Sequence, residues 1–121
     1  MDKVAPEQIL KYSDKIIDRY LPTIDIYYII LITLLSVTEY SRRKKTLHYD
    51  FRVRLTIATI PAMIKYLVEK GHLTVDNYIN ISNDYTNIFP ELPIIIDNYL
   101  AASKSDLRHP SKINNNKCNI L

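Results

Sequence analysis

The sequence holds one glycine, one cysteine and no tryptophan in 121 residues. The lone Gly71 leaves no material for Gly-rich phosphate loops or for tight primed hairpin turns, which need backbone at positive φ. The lone Cys118 cannot close an internal disulfide, and its polar surroundings hold nothing to depress the thiol pKa. His48, His72 and His109 are scattered, so zinc-cluster spacing is missing and neither metal nor cofactor is expected. The opening "MDKVAPEQIL" lacks the basic-then-apolar layout of a secretory signal. The closing "SKSDLRHPSKINNNKCNIL" has no apolar stretch that could act as a tail anchor. A cytoplasmic location is therefore the expectation.

What is present is enough apolar material for a core. Hydrophobic residues make up 47% of the chain, and its length suits one domain. A chain of this size buries roughly two-thirds of the surface its unfolded form exposes. The wealth of Ile, Tyr and Asn beside the missing Trp points to an AT-rich genome, a hint of viral or parasitic origin.

"IDIYYIILITLLSV" (Ile24 to Val37) decides the architecture. Asp25 and Glu39 bracket 13 uncharged residues. As a helix these span ~20 Å at about 1.5 Å per residue, short of a hydrocarbon core of about 30 Å. The run is also long for a strand, usually about 5 or 6 residues. A helix apolar on nearly every side must be buried on nearly every side. Ile24 to Tyr40 is thus expected as a central helix opening at Pro22 and Thr23.

Around it, Ile9, Tyr12, Ile16, Ile17 and Tyr20 form one stripe, predicting an amphipathic helix over residues 6 to 20 with Pro6 at its first position. Asp14 and Asp18 lie one turn apart, but Lys15 and Arg19 beside them make a solvated face the better reading than a metal site. "SRRKKT" (Ser41 to Thr46) reads as a basic break. Beyond it, Leu47 to Ile57 alternate as a strand would, while Val53, Ile57, Ile60, Ile64, Leu67 and Val68 keep helical spacing through to Lys70. Pro61 is expected to kink that helix or to start a new one, and Gly71 to stop it in the left-handed conformation. Thr74 caps a short helix from Val75 to about Ile81, although "HLTVDNYINIS" also alternates weakly. A last helix from about Pro93 to Ala102 is expected to bury Ile94, Ile95, Tyr99 and Leu100. Periodicity ends at Ser103.

Charge is unevenly spread. Residues 42 to 54 carry a net +5 and the remainder −2. Arg42, Arg43, Lys44 and Lys45 are candidate phosphate contacts, with a solvated inter-helix loop as the plain reading. Residues Gly71 to Ser82 offer a weak helix-turn-helix pattern. "RKKTLH" (Arg43 to His48) matches the loose Arg-x4-His spacing of some helical ribonucleases, where a cation and an imidazole on one helix face work as acid and base. No Ser, His and acid set has meaningful spacing. Tyr27, Tyr28, Tyr66, Tyr78 and Tyr99 could anchor an interface, or complete a core.

"FRVRLTIATIPAMIKYLVEKG" (Phe51 to Gly71) resembles the core-helix region of the Bcl-2-like proteins of poxviruses. The resemblance rests on the arginine within Val53 to Leu55, on small residues Ala58 and Ala62 in an apolar helix, and on a continuation through Tyr78 and Ile94 to Leu100. It implies a bundle around a buried helix, with a groove for an amphipathic helix or a flat face for host signalling proteins. It implies that Arg54, or equally Arg52, pairs with an acidic residue of the bound helix. The Asn-Trp-Gly-Arg signature of cellular relatives is absent, since "YDFR" stands there, and the chain is short for the family.

The expected fold is therefore all-α: a compact single-domain bundle of about five helices over residues 1–102 around a buried central helix, followed by a flexible polar tail, 103–121. The alternative is an α+β fold with strands near 47–57 and 73–81. The expected function is non-catalytic protein–protein interaction, as a viral modulator of host apoptosis or innate immune signalling. Its partner-binding residues would be Tyr49, Arg52, Arg54, Ala58 and Tyr66, and self-association is open to it. Nucleic-acid binding through residues 42–54 is the alternative.

Overall fold

The carboxylate of Asp25 opens the central helix by accepting from the backbone N–H of Tyr28 at 2.9 Å. The computed structural model describes residues 4–20, 25–46 and 48–108. Six α-helices follow one another there: α1 Pro6–Leu10, α2 Ser13–Tyr20, α3 Ile26–Arg43, α4 Tyr49–Glu69, α5 Val75–Ile88 and α6 Leu92–Arg108, with a 3₁₀ turn at Phe89–Glu91. No strand occurs among the described residues. The all-α expectation stands, and the strands considered near 47–57 and 73–81 do not form.

α3 is the buried centre, touching each of the other five helices and packing most extensively on α4. Its Ile29, Ile30 and Ile32 are fully buried, as are Thr33 and Ser36. Polar groups in such a place need partners. Thr33 Oγ1 donates to the Ile29 carbonyl at 2.7 Å, and Ser36 Oγ to the Ile32 carbonyl at 2.9 Å. Tertiary burial thus overrides the weak helix propensity of Ile and Thr. The helix begins at Ile26 with Asp25 as its cap, and Pro22 and Thr23, expected at its start, lie outside the described residues. It also runs on through Ser41, Arg42 and Arg43, so the basic segment is half helix.

The expected first helix is broken in two. Ser13 is buried at the joint and donates to the Leu10 carbonyl at 2.6 Å, ending α1 and starting α2. The break divides the apolar stripe between two clusters. Ile9 joins Val37 and Tyr40, with Tyr12, Phe51 and Leu55 against them, whereas Ile17 enters the main core with Ile30, Met63 and Leu67.

α4 runs unbroken past Pro61, which neither ends a helix nor begins one. Pro61 is on the exposed face, following Asp50, Arg54 and Ala58 along the solvent side. The carbonyl of Ile57 loses its intrahelical donor there. The buried Thr56 and Thr59 hydroxyls bond back to the Arg52 and Leu55 carbonyls, each at 2.7 Å. The strand-like alternation of this segment yields to the helical set, since Ile60, Met63, Ile64 and Leu67 all enter the main core.

Two Schellman stops end the long helices. After α4, Gly71 N–H donates to the Val68 carbonyl and His72 N–H to the Leu67 carbonyl, with Gly71 at φ +83. After α3, Lys45 N–H donates to Arg42 and Thr46 N–H to Ser41, with Lys45 at φ +58. One motif carries the residue its geometry favours and the other does not. Lys45→Gly is expected to stabilise the fold by about 1 kcal/mol, and Gly71→Ala to cost about the same. A Cβ at Gly71 would meet nothing within 4 Å, so that cost is backbone strain alone. Urea titrations of both variants check the opposite signs.

Thr74 caps α5 as expected, its hydroxyl accepting from Asn77 N–H at 3.1 Å, but the helix runs to Ile88 rather than Ile81. α6 extends six residues beyond the expected Ala102, so residues 103–108 are helical and not tail. Residues 109–121, with His109 and Cys118, lie outside the described residues. The inward residues of α6 are Leu92, Ile96 and Leu100, spaced four apart, with Ile95 and Tyr99 half-buried. Ile94, expected in the core, is 63% exposed.

Candidate functional site

That outward Ile94 helps to form an open cleft on the bundle surface. A cleft of about 540 Å³ lies between the first turns of α4 and α6. α4 contributes Tyr49, Asp50, Val53 and Arg54, and α6 contributes Pro93, Ile94 and Asp97. Tyr49 is 40% exposed at its rim. Four apolar side chains thus share the cleft with two carboxylates and one guanidinium. Arg54 Nε donates weakly to the Asp50 carbonyl at 3.3 Å, and the guanidinium forms no ion pair within 4 Å among the described residues. The cleft is open and shallow, so it suits the side of a helix better than a small molecule, which usually needs an enclosing pocket.

The sequence-derived partner residues divide. Tyr49 and Arg54 line this cleft. Ala58 is exposed one turn beyond Arg54 but does not line it. Arg52 turns to another side of α4, where its Nε is buried without a hydrogen-bond partner among the described residues. Of the two arginines that the sequence left equivalent, only Arg54 reaches the cleft.

Tyr66 is elsewhere again, donating to Asp14 Oδ1 at 2.6 Å. Burial and then that carboxylate push the phenol up to about 12. A raised pKa means that the folded state holds the proton more tightly than the unfolded state, whose value is near 10. The stability tied to it is whole below pH 10 and is lost as pH rises towards 12. Tyr66→Phe should therefore flatten the alkaline fall in melting temperature over that window.

Other tyrosines divide as well. Tyr27 and Tyr78 are exposed, whereas Tyr28 and Tyr99 are half-buried against the main core. Burial, with Asp25 and Tyr27 nearby, also raises the Tyr99 pKa.

The four candidate phosphate contacts are exposed, but they are not equally free. Arg42 and Arg43 both pair with Glu39, at 2.6 and 2.8 Å. Lys44 caps α3, and Lys45 forms its left-handed stop. Arg43 ends α3 while His48 caps α4, so the ribonuclease spacing does not place them on one helix face. In the helix-turn-helix reading α5 would be the recognition element. It carries Asp76 and Asp84 and no Lys or Arg, the wrong charge for phosphates. No group of three or more His, Cys, Asp or Glu among the described residues could hold a metal. No helix among them is long and apolar enough to cross a membrane.

Sequence reasoning missed Pro93, Ile94 and Asp97. The spacing of Leu92, Ile96 and Leu100 was the signal that could have turned Ile94 outward. Fold and cleft together define an all-α bundle with an open, charge-flanked groove. Compared with known proteins, the chain matches no family model, no curated protein and no solved structure.

Proposed function

We propose that this chain is a non-catalytic interaction module that receives one face of an amphipathic helix between α4 and α6. The supporting observation is the exposed Ile94 facing a cleft shared with Tyr49, Val53 and Arg54. Apolar anchors at helical spacing would lie against Tyr49, Val53, Pro93 and Ile94. An acidic residue of the partner would meet Arg54, and a basic one Asp50 or Asp97. Such rim charges fix register and orientation more than they add affinity. The resemblance of Phe51 to Gly71 to the poxvirus Bcl-2-like proteins points the same way, towards a viral modulator of host apoptosis or innate immune signalling. It also suggests the first probes, namely death-promoting and death-domain helices.

Calorimetric titration of such helical peptides tests the reading. Binding is expected for the wild type and loss of about tenfold or more for Arg54→Glu and Ile94→Asp. Both positions are exposed, so both variants should melt within about 0.5 kcal/mol of the wild type. Unchanged affinity in the double variant would remove the groove. Binding of nucleic acid alone, sensitive to substitution of Arg42 to Lys45, would favour the alternative.

A further inference from the structure

A second cleft, of about 890 Å³, lies between the α1–α2 turn with the start of α2 and the C-terminal half of α3, and it shares no residue with the α4–α6 cleft. Half-buried Ile16 and Leu35 give it an apolar floor. Lys11 and Lys15 line it from the α1–α2 side, and Arg42 and Arg43 from α3. Asp14 and Glu39 also face it, which leaves a net charge of +2. The two arginines converge on one carboxylate, that of Glu39, while neither lysine has an ion pair among the described residues. Asp14 is engaged by the Tyr66 hydroxyl. The cleft thus has more cationic donors than it has acids to satisfy them.

We infer that this cleft docks a carboxylate-rich amphipathic peptide segment of a partner protein. An apolar side chain of the segment lies on Ile16 and Leu35. Its flanking Asp or Glu residues meet the lysines on one wall and the arginines on the other. A carboxylate entering between Arg42 and Arg43 takes over hydrogen bonds that Glu39 now holds, in geometry suited to bidentate arginine pairing. Because Glu39 already occupies those donors, it competes with the ligand and keeps affinity modest.

The same features disfavour a nucleic acid. Base stacking needs an open aromatic face. The aromatic ring in the cleft, Tyr12, already has Lys11 Nζ 5.3 Å and the Arg43 guanidinium 5.6 Å from its centre, with Tyr40 edge-on at 6.5 Å. A base would have to displace a cation in order to stack. Nucleic acid also offers no cation to Asp14 and Glu39, whereas a peptide can. With the α4–α6 groove on different helices, the chain would hold two protein segments at once. This second site stands whether or not the first reading holds.

The test is fluorescence anisotropy with the full chain and three labelled probes. These are a helix-forming peptide with leucines on one face and glutamates beside them, its glutamine counterpart, and oligodeoxythymidylate. The glutamate peptide should bind about tenfold more tightly than the glutamine one at low salt, with the gap closing as salt rises. Glu39→Gln, which removes the negative charge held between both arginines, should tighten binding severalfold. Lys15→Glu with Arg43→Glu should abolish it, and Arg54→Glu with Ile94→Asp should leave it unchanged. Equal affinity for the two peptides, an inert Glu39→Gln, or preference for the oligonucleotide would each overturn the inference. The Glu39→Gln and peptide-pair arms decide even if the charge-reversed double variant fails to fold.

Discussion

Ile30→Ala should lower the free energy of unfolding by about 3 kcal/mol, read as a shift in urea midpoint and a fall in melting temperature on the order of 10 °C. Ile30 is fully buried in the main core, in the second turn of α3, a helix that touches each of the other five. Removing three carbons there leaves a cavity that rigid helices on every side cannot collapse to fill. A total stability of roughly 5–15 kcal/mol makes this a large fraction. Tyr27 lies on the same helix but is 48% exposed, and Tyr27→Ala should stay within about 0.5 kcal/mol of the wild type. Similar losses for the two variants would mean that α3 is not enclosed by its own protein, and the bundle reading would fail with it.

The opposite sign is expected at Pro61. Proline inside a helix costs about 3 kcal/mol relative to alanine, through the missing N–H and the ring's clash with the preceding turn. Here it sits within α4 on the solvent-exposed face, so little packing is lost when it is replaced. Pro61→Ala gives the Ile57 carbonyl a donor and removes the clash. The unfolded chain regains about 1 kcal/mol of conformational freedom, which offsets part of the gain. A net stabilisation of about 1–2 kcal/mol should appear in urea unfolding, with no change in the slope of the transition. A loss of stability would show that the ring makes packing contacts that outweigh its cost to the helix.

Much of the fold was legible from residues close in sequence. The Gly71 stop and the Thr74 cap are readable from the sequence, because about one turn of chain contains both partners of each such interaction, and the apolar run of α3 is readable because its composition alone rules out a solvated helix. The helix over residues 49 to 69 was less secure. Its β-branched residues satisfy two periodicities, and only contact with α3 selects one of them. The split at Ser13 was invisible, since the stripe from Ile9 to Tyr20 looks continuous until its two halves are seen to enter different clusters.

The candidate site was half legible. The sequence points to Tyr49 and Arg54 but not to their neighbours across the cleft. Three isoleucines in a row, Ile94 to Ile96, carry no phase of their own, so the sequence does not tell which of them faces inward. Leu92 and Ile96 take the inward positions only once α6 is laid against α3 and α4.

What the sequence determined by itself was a helical chain with one helix too apolar to face water and too short to span a lipid core. Those properties follow from composition, helix caps and rise per residue, all local. What the tertiary structure alone decided was which faces remain uncovered: Arg54 rather than Arg52 at a cleft, and Ile94 outward. Exposure is a relation between elements distant in sequence, so it arises only when the helices pack.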